Sequence, residues 1–289
     1  MPRSASQPSQ SSFSAASEIE GVSPRQTREI ESQSRPNAAL IHETIRAEGE
    51  QELKRRWWAI LVSGFAAGLS IGLSLVVQGK LHAALPEGAA RDLIAPFGYS
   101  VGFLVVVLGR QQLFTENTLT PILPLLHHRD LETFLNVCRL WSLVLVSNIA
   151  GTWVMAAALA HAGIFEARDV DAFVEISRHT IEGSFAATFI RGIFAAWLIA
   201  LMAWLLPASD GSRPMIIVIM TYVVAFGAFA HIVAGSVECA FMVLSGQASI
   251  GQYVADFFAP TLLGNVAGGT TLVALLNYGQ VAPELEDAA

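Results

Sequence analysis

GRQQLFTENTLTPILPLL, residues Gly109–Leu126, is the stretch that decides the predicted fold. It follows the apolar run Leu93–Leu108 and ends in another apolar run, yet its middle carries a cation, an anion and several amide and hydroxyl side chains. The segment Leu93–Leu126 has 34 residues. A straight helix of that length would measure roughly 50 Å, against a hydrocarbon core of roughly 30 Å. Two spans and a turn would need more residues. We therefore predict one span that is interrupted at Leu113–Asn117, near the middle of the membrane.

The composition is that of a polytopic membrane protein. The chain is 53% hydrophobic and 14% charged, with a mean hydropathy of +0.50. Residues 1–56 hold 16 of the 41 charged side chains and predict a disordered tail, whose last part, AALIHETIRAEGEQELKRR, favours a helix leading into the membrane. Residues 57–280 then form the transmembrane domain, and residues 281–289 a short acidic tail. No apolar segment precedes residue 57, so a cleaved signal peptide is not expected.

Six segments have the apolar character of membrane spans. The second and the fifth have 34 residues each, so the fifth is also predicted to be broken, at Phe229–Gly235 within AFGAFAHIVAGSVE. A basic triplet, residues 54–56, precedes the first span and favours cytoplasmic N- and C-termini. The predicted spans are Trp57–Gly79, Leu93–Leu126, Leu140–Phe165, Gly183–Ser209, Pro214–Gln247 and Phe257–Pro283.

The two halves of the chain share a short motif. SNIAGTWVMAAAL in the third span resembles GNVAGGTTLVALL in the sixth, so that Asn148 matches Asn265 and Gly151 matches Gly268 at an offset of 117. The breaks match as well, because Thr115 and His231 are 116 residues apart. Three spans repeated after three spans run in opposite directions through the membrane. The prediction is a 3+3 inverted repeat whose second and fifth helices are broken at the midplane, where such proteins bind solute.

This arrangement predicts permeation of a small anion. Each half-helix N-terminus carries about half a positive charge and has free N–H groups. Two such ends at the midplane favour an anion, and His231 is the side chain there that titrates near neutral pH. The alternative for His231 is a hydrogen-bonded histidine of the core.

Four motifs, LFTEN, RGIFAAW, AFAHIVAGS and LGNVAGG, resemble the formate/nitrite transporter family in their order. The resemblance covers roughly Trp57–Gly279. It implies an aquaporin-like protomer, a homopentamer in the inner membrane with one pore in each protomer, and passage of formate, nitrite or hydrosulfide by a channel or a proton-linked mechanism. It also implies that Thr115 and His231 contact the solute beside a constriction at Leu113 and Phe114.

The chain departs from the usual family pattern at five positions. It has Ala230 where the family has Glu, and Gly235 and Ala196 where Asn or a similar polar residue is usual. Conversely, it has Glu116 where Gly or Ser is usual, and Glu238 where the family is apolar. These differences indicate a divergent branch of the family, so the resemblance predicts the fold but not the solute.

Several polar residues have two interpretations. Thr115 is expected both to contact solute and to cap the second half-helix. Glu116 either lines the path or lies outside it, as a cap or as the partner of Arg110. Glu238, at membrane depth, takes part in gating or proton transfer, or pairs at a subunit interface. Arg191 either pairs with a carboxylate or faces an anion vestibule.

The remaining candidates support the breaks. Asn148 and Asn265 are expected to satisfy backbone groups of the broken helices, Gly151 and Gly268 to allow close helix packing, and Gly235 to belong to the second break. The small-residue face GFAAGLSIGLS of the first span is expected to pack between subunits.

Other classes of function find little support in the sequence. It has no HExxH, GxSxG or paired aspartates, so an enzyme is not expected, and Cys138 and Cys239 lack the spacing of a metal or redox site. We expect no cofactor, no metal and no nucleic-acid partner, only the bilayer, other copies of the chain and a small anion. Two alternatives stay open, a channel for small neutral solutes and a non-conducting assembly protein whose pore is blocked.

Overall fold

The computed structural model describes residues 37–209, 211–275 and 279–280. The prediction for residues 1–36, for the acidic tail 281–289 and for the end of the sixth span lies outside these residues. The described part of the chain is helical and contains no strand, which confirms the all-α membrane fold. Thirteen α-helices are numbered here along the described residues: α1 Ala38–Leu53, α2 Trp57–Ile71, α3 Leu73–Ala84, α4 Ala89–Ile94, α5 Ser100–Leu108, α6 Ile122–His128, α7 Leu131–His161, α8 Ala167–Ile181, α9 Phe185–Leu205, α10 Arg213–Phe226, α11 Ile232–Leu244, α12 Ile250–Gln252 and α13 Ala259–Ala267.

Four helical segments of the described chain are long and apolar enough to cross a membrane, namely Trp57–Ala84, Ala89–Leu108, Leu131–His161 and Phe185–Ala208. Two shorter apolar helices, α10 and α11, follow one another across the second break. The last segment continues from α12 through a π-helix, Tyr253–Phe258, into α13 and a second π-helix, Gly268–Leu275.

Several spans begin elsewhere than predicted. The third span begins at Leu131 rather than Leu140, because the Asp130 carboxylate accepts a hydrogen bond from the Thr133 backbone N–H (2.8 Å) and caps a helix of 31 residues. The segment between the third and the fourth predicted spans, to which no helix was assigned, contains the helix α8. It begins with a capping box between Glu166 and Asp169.

Both predicted breaks are present, but their limits differ. The first helix of each pair ends at a glycine, Gly109 or Gly227, and the next residue, Arg110 or Ala228, has a left-handed φ of 51° or 49°. Each end also has a six-residue hydrogen bond, from Gln111 N to Val106 O (2.9 Å) and from Phe229 N to Val224 O (3.0 Å). The second break therefore spans residues 227–231 and the first residues 109–115, rather than Phe229–Gly235 and Leu113–Asn117.

These backbone features correct the predicted register of the repeat. Gly109 and Gly227, and likewise Arg110 and Ala228, are 118 residues apart, so His231 is equivalent to Leu113 and not to Thr115. The match between Thr115 and His231 was not sufficient to establish the register of the repeat. The hydrogen bonds that end the two helices establish it.

The helix pairs of the two halves correspond. The helix contacts are most extensive between α2 and α7 in the first half, and between α9 and α13 in the second. The small-residue face of α2, assigned above to subunit packing, instead contacts α7 of the same chain, since a Cβ added at Gly68 would lie 2.2 Å from the Asn148 carbonyl oxygen. That part of the prediction was wrong.

Candidate functional site

A buried asparagine holds each break together. Asn148 on α7 donates from Nδ2 to the carbonyl oxygens of Gly64 and Gln112 (both 2.8 Å), and its Oδ1 accepts from Phe114 N (2.9 Å). One amide thus joins the first span, the third span and the broken backbone. Asn148 is fully buried, so these bonds satisfy polar groups that water does not reach.

Asn265 on α13 makes the same three bonds in the second half. Its Nδ2 donates to the carbonyl oxygens of Gly192 (2.8 Å) and Ala230 (2.9 Å), and its Oδ1 accepts from Ile232 N (2.8 Å). The partners in the breaks are again 118 residues apart. The structural role predicted for both asparagines agrees with this geometry.

Thr115 and His231 come together where the two breaks meet. The Thr115 Oγ1 and the His231 Nε2 are 2.8 Å apart, and both residues are almost completely buried. Phe103 packs its ring edge to face against the imidazole, with 5.0 Å between the ring centroids. Both residues were predicted to lie in one site, although the repeat register that supported this prediction was wrong.

Thr115 does not cap the half-helix that follows it in the second span, whereas in the fifth span His231 caps α11. His231 Nδ1 accepts a hydrogen bond from Ala234 N (3.2 Å), whereas Thr115 makes no side-chain cap at the turn that follows it. Because Nδ1 is an acceptor, the neutral ring carries its proton on Nε2 and donates it to Thr115 Oγ1. Because its oxygen accepts this bond, the Thr115 hydroxyl group can donate its own proton to another acceptor. A second proton on Nδ1 would remove the cap.

The half-helix N-termini expose fewer donors than the sequence suggested. The Phe114 and Ile232 N–H groups are bonded to the two asparagines, and the Ala234 N–H to His231. These three N–H groups are therefore not free to bind a solute, while the dipole of α11 still has its positive end at the meeting point.

Two cavities approach this point from opposite ends of the helices. The α1-side cavity, about 590 Å³, is lined by residues that include Glu52, Arg55, Gln112 and Glu116. The α8-side cavity, about 330 Å³, is lined by residues that include Thr180, Arg191, His231 and Glu238. Arg55 precedes the first span while His82, on the α8 side, lies near its end, so the cavities open at opposite faces.

Leu113, Phe114 and Thr115 line neither cavity; in the chain they lie between Gln112 and Glu116, which line the α1-side cavity. Leu113 is fully buried and Phe114 is 2% exposed. The Phe114 ring packs edge to face on Trp141, with 6.0 Å between the ring centroids. Both side chains of the predicted constriction are therefore buried and apolar.

Glu116 is half-buried and lines the α1-side cavity, while a pair with Arg110, one of the alternatives considered, does not form. Arg110 Nη2 donates instead to Glu48 Oε1 on α1 (3.0 Å). The partner of Arg110 could not be found among its neighbours in the sequence, because the ion pair with Glu48 joins residues that are 62 apart in the chain.

Glu238 lies two turns beyond His231 on α11 and is 7% exposed. It accepts a hydrogen bond from the Thr180 hydroxyl of α8 and faces the α8-side cavity. Arg191 faces the same cavity, and its Nη1 donates to the Glu182 carbonyl oxygen (3.5 Å) rather than to a carboxylate. Thr180 was not singled out from the sequence, which offers no signal for it.

The glycines divide into two groups. A Cβ at Gly151 or Gly268 would lie 2.4 Å from a carbonyl oxygen of the facing helix, Phe65 or Ile193 respectively, in accord with the predicted close packing. Gly235 is not part of the break. It lies in the first turn of α11, where a Cβ would come within 2.6 Å of the Phe257 ring.

Comparison with known proteins agrees with this geometry. The family model described as Formate/nitrite transporter matches residues 39–279. The chain belongs to the formate/nitrite transporter family. The family resemblance seen in the sequence is therefore confirmed.

Two relatives of this formate/nitrite transporter family member illustrate the range of similarity. It is 38% identical over 260 residues to the inner membrane protein YfdC of Escherichia coli (strain K12), covering 90% of this chain and 84% of that one. It is 26% identical over 243 residues to the formate channel BtFdhC of Bacillus thuringiensis, covering 82% and 93%.

Two solved structures share its fold. A pentameric formate channel with formate bound has a TM-score of 0.66 at 17% identity, over 78% of this chain and 98% of that one. An FNT family ion channel has a TM-score of 0.73 at 15% identity, over 83% and 98%.

Proposed function

We propose that the protein is a channel or transporter for small monovalent anions such as formate or nitrite. The observation that carries the proposal is the 2.8 Å contact between Thr115 Oγ1 and His231 Nε2, at the junction of the two breaks and between two cavities. The Thr115 hydroxyl, polarised by the His231 N–H, donates to the anion. The positive end of the α11 dipole adds to this attraction.

The assembly and the orientation form part of the same proposal. A pentamer is supported by the pentameric formate channel that shares the fold. The basic residues 54–56 support a cytoplasmic position for α1 and the α1-side cavity, and an outside position for the α8-side cavity. The inner membrane is supported by the name of the YfdC relative. Opposite orientation of the two halves follows from three spans in each.

The proposed solute path runs from one cavity to the other past Leu113 and Phe114. These side chains close the path at rest, so a hydrated ion must shed water or its charge to pass. The neutral His231, with both ring nitrogens engaged, acts as a donor to the solute through Thr115. The proton-linked role suggested for His231 would require the loss of its cap to α11.

Flux into proteoliposomes tests the proposal. Formate and nitrite should enter faster than into empty liposomes, and faster than urea or glycerol. Thr115→Val should reduce anion flux by about tenfold, because removing one hydrogen bond to a charged group costs about 1.5 kcal/mol. Thr115→Ser, which keeps the hydroxyl, is the matched control and should retain most of the flux.

Two outcomes would replace the proposal. Faster entry of urea or glycerol than of formate would show a channel for neutral solutes. If the assembled wild-type protein carries none of these solutes, the closure by Leu113 and Phe114 is permanent and the protein is a non-conducting assembly component. His231→Phe should abolish flux if the protein conducts either anions or neutral solutes. It can have no effect on flux if the protein does not conduct.

A further inference from the structure

One carboxyl group lies on each side of the apolar constriction. Glu116 directly follows Thr115 and lines the α1-side cavity, while Glu238 lines the α8-side cavity together with His231. Both of these departures from the family pattern therefore line the cavities of the proposed path. An ionised carboxylate at either position would repel an entering anion.

Glu238 has no cationic partner among the residues that the structure describes. Its hydrogen bond comes from the uncharged Thr180 hydroxyl. Basic side chains that line this cavity have other partners, because Glu175 lies 3.5 Å from Arg91 Nη2 and 3.6 Å from His82 Nε2, and Arg191 donates to the Glu182 carbonyl oxygen. The other charged or titratable side chains that line this cavity with Glu238 are His82, Arg91, Asp92, Tyr99, Glu175, His179, Arg191 and His231.

Glu116 is in a similar position. Arg110 pairs with Glu48 at 3.0 Å, and Arg55 pairs with Glu52 at 3.2 Å. In the described part of the chain, no basic side chain lies within ion-pair distance of the Glu116 carboxyl group. The charged side chains that face it across the α1-side cavity are Glu48, Glu52, Arg55, Arg110 and Arg213.

An unpaired carboxylate in a poorly solvated place is unfavourable, and protonation removes the charge. A protonated carboxyl can give its proton to an anion, whereas His231 is occupied at both nitrogens by Thr115 and by the N–H of Ala234. The carboxyl groups are thus the available proton donors beside the constriction.

We propose that Glu116 and Glu238 are proton-loading groups, one at each mouth, which make the passage of an anion depend on one proton. At the entry mouth the carboxyl O–H bond breaks and the anion takes the proton, which leaves a carboxylate and a neutral acid. The neutral acid crosses Leu113 and Phe114. At the exit mouth the other carboxyl, having first released its proton to water, takes the proton from the acid and frees the anion.

Water then restores the proton on the entry carboxyl, and the exit carboxyl is ready to release its own proton again. One proton and one anion have moved in the same direction, with no net charge. This inference rests on the proposed anion path and assigns the proton transfer to these two residues.

The test combines two fluxes in proteoliposomes of the assembled protein. Labelled formate reports anion uptake, a trapped pH dye reports proton uptake, and potassium with valinomycin sets the voltage. We expect one proton per formate and a rate that does not change with voltage in the wild-type protein. Glu116→Gln and Glu238→Gln should each lower the coupled flux by about tenfold or more, as expected on loss of a positioned proton donor. Because the groups act in series, the double variant should be little worse than either.

Two matched controls change carboxyls in the same cavities that already have cationic partners. Glu48→Gln on the α1 side and Glu175→Gln on the α8 side should keep the flux and the proton ratio. Unchanged flux and proton ratio in both Glu116→Gln and Glu238→Gln would overturn the inference.

Carbodiimide labelling of the wild-type protein needs no variant, since the reagent attacks protonated carboxyls in apolar surroundings. At neutral pH, mass spectrometry should find it on Glu116 and Glu238 but not on Glu48 or Glu175, with loss of flux. Absence of label from both residues would overturn the inference even if the variants fail to assemble. Absence of formate flux in the unlabelled wild-type protein would instead refute the proposed function, which keeps the two failures distinct.

Discussion

Replacing Asn148 by leucine would remove three hydrogen bonds from the first break while keeping a side chain of similar volume, so that water could not take the place of the amide. The lost bonds join Asn148 to Gly64, Gln112 and Phe114 at 2.8–2.9 Å. At about 1 kcal/mol for each bond, with a further cost for the buried Phe114 N–H, the free energy of unfolding should fall by about 3–5 kcal/mol. For a chain of this size that is a fall of roughly 10 °C in melting temperature.

Asn265→Leu should have an effect of the same size, because Asn265 makes three equivalent bonds. The assay is thermal unfolding of the purified protein in detergent, followed by tryptophan fluorescence and by the size of the oligomer. The control is Thr261→Val, one turn before Asn265, which removes a buried hydroxyl that has no hydrogen-bond partner in the described chain. It should melt at the wild-type temperature or above.

The reasoning would be refuted if both leucine variants melted with the wild-type protein. It would also be refuted in part if one variant lost several kcal/mol and the other none, since the two breaks would then not be held in the same way. Variants that still assemble should conduct less anion, because Phe114 and Ile232 position the residues beside them.

Three further predictions concern stability. A hydrogen bond from the Lys80 ammonium group holds the pKa of Asp169 below its usual range. The stability that this pair contributes is therefore present above pH ~4 and is lost as the pH falls through the lower pKa of Asp169 in the folded protein. Melting temperatures measured from pH 3 to 7 should show this loss in the wild-type protein and not in Asp169→Asn. Ala228→Gly should gain about 0.5 kcal/mol by relieving a left-handed φ of 49°, whereas Ala225→Gly, within α10, should lose a similar amount in the same denaturation assay. Deleting residues 1–36 should leave oligomer size and melting temperature unchanged, while Gly49→Ala should lower the melting temperature, because a Cβ there would lie 2.2 Å from the Thr120 carbonyl oxygen.

Properties that depend on length and local pattern were predictable from the sequence. A segment of 34 residues is too long for one straight span, and this was sufficient to place a break in the second and fifth helices. The shared asparagine motif was sufficient to pair the third span with the sixth. The capping box of α8 was also visible in the sequence, at Glu166 and Asp169, but was not used.

Features set by tertiary contacts were not predictable. Threonine is a common helix-capping residue, yet the Thr115 hydroxyl accepts a hydrogen bond from His231 and does not cap the helix that follows it. In the fifth span the histidine caps α11. Arg110 is close to Glu116 in sequence, but α1 brings Glu48 to it. The glycines of the first span were consistent with any close helix packing, so the sequence could not distinguish a contact with α7 from a contact with another subunit.

The proposed apolar closure between the two cavities would have an electrical consequence. Where polar cavities enter a membrane from both faces, the transmembrane voltage falls mainly across the thin layer that remains between them, here Leu113 and Phe114, rather than across the full hydrocarbon thickness of about 30 Å. An ion moving through that layer would gain or lose almost the whole electrical energy, about 2.3 kcal/mol per elementary charge at 100 mV. An uncharged molecule would gain or lose none, so a cell could exchange weak acids across this layer without discharging its membrane.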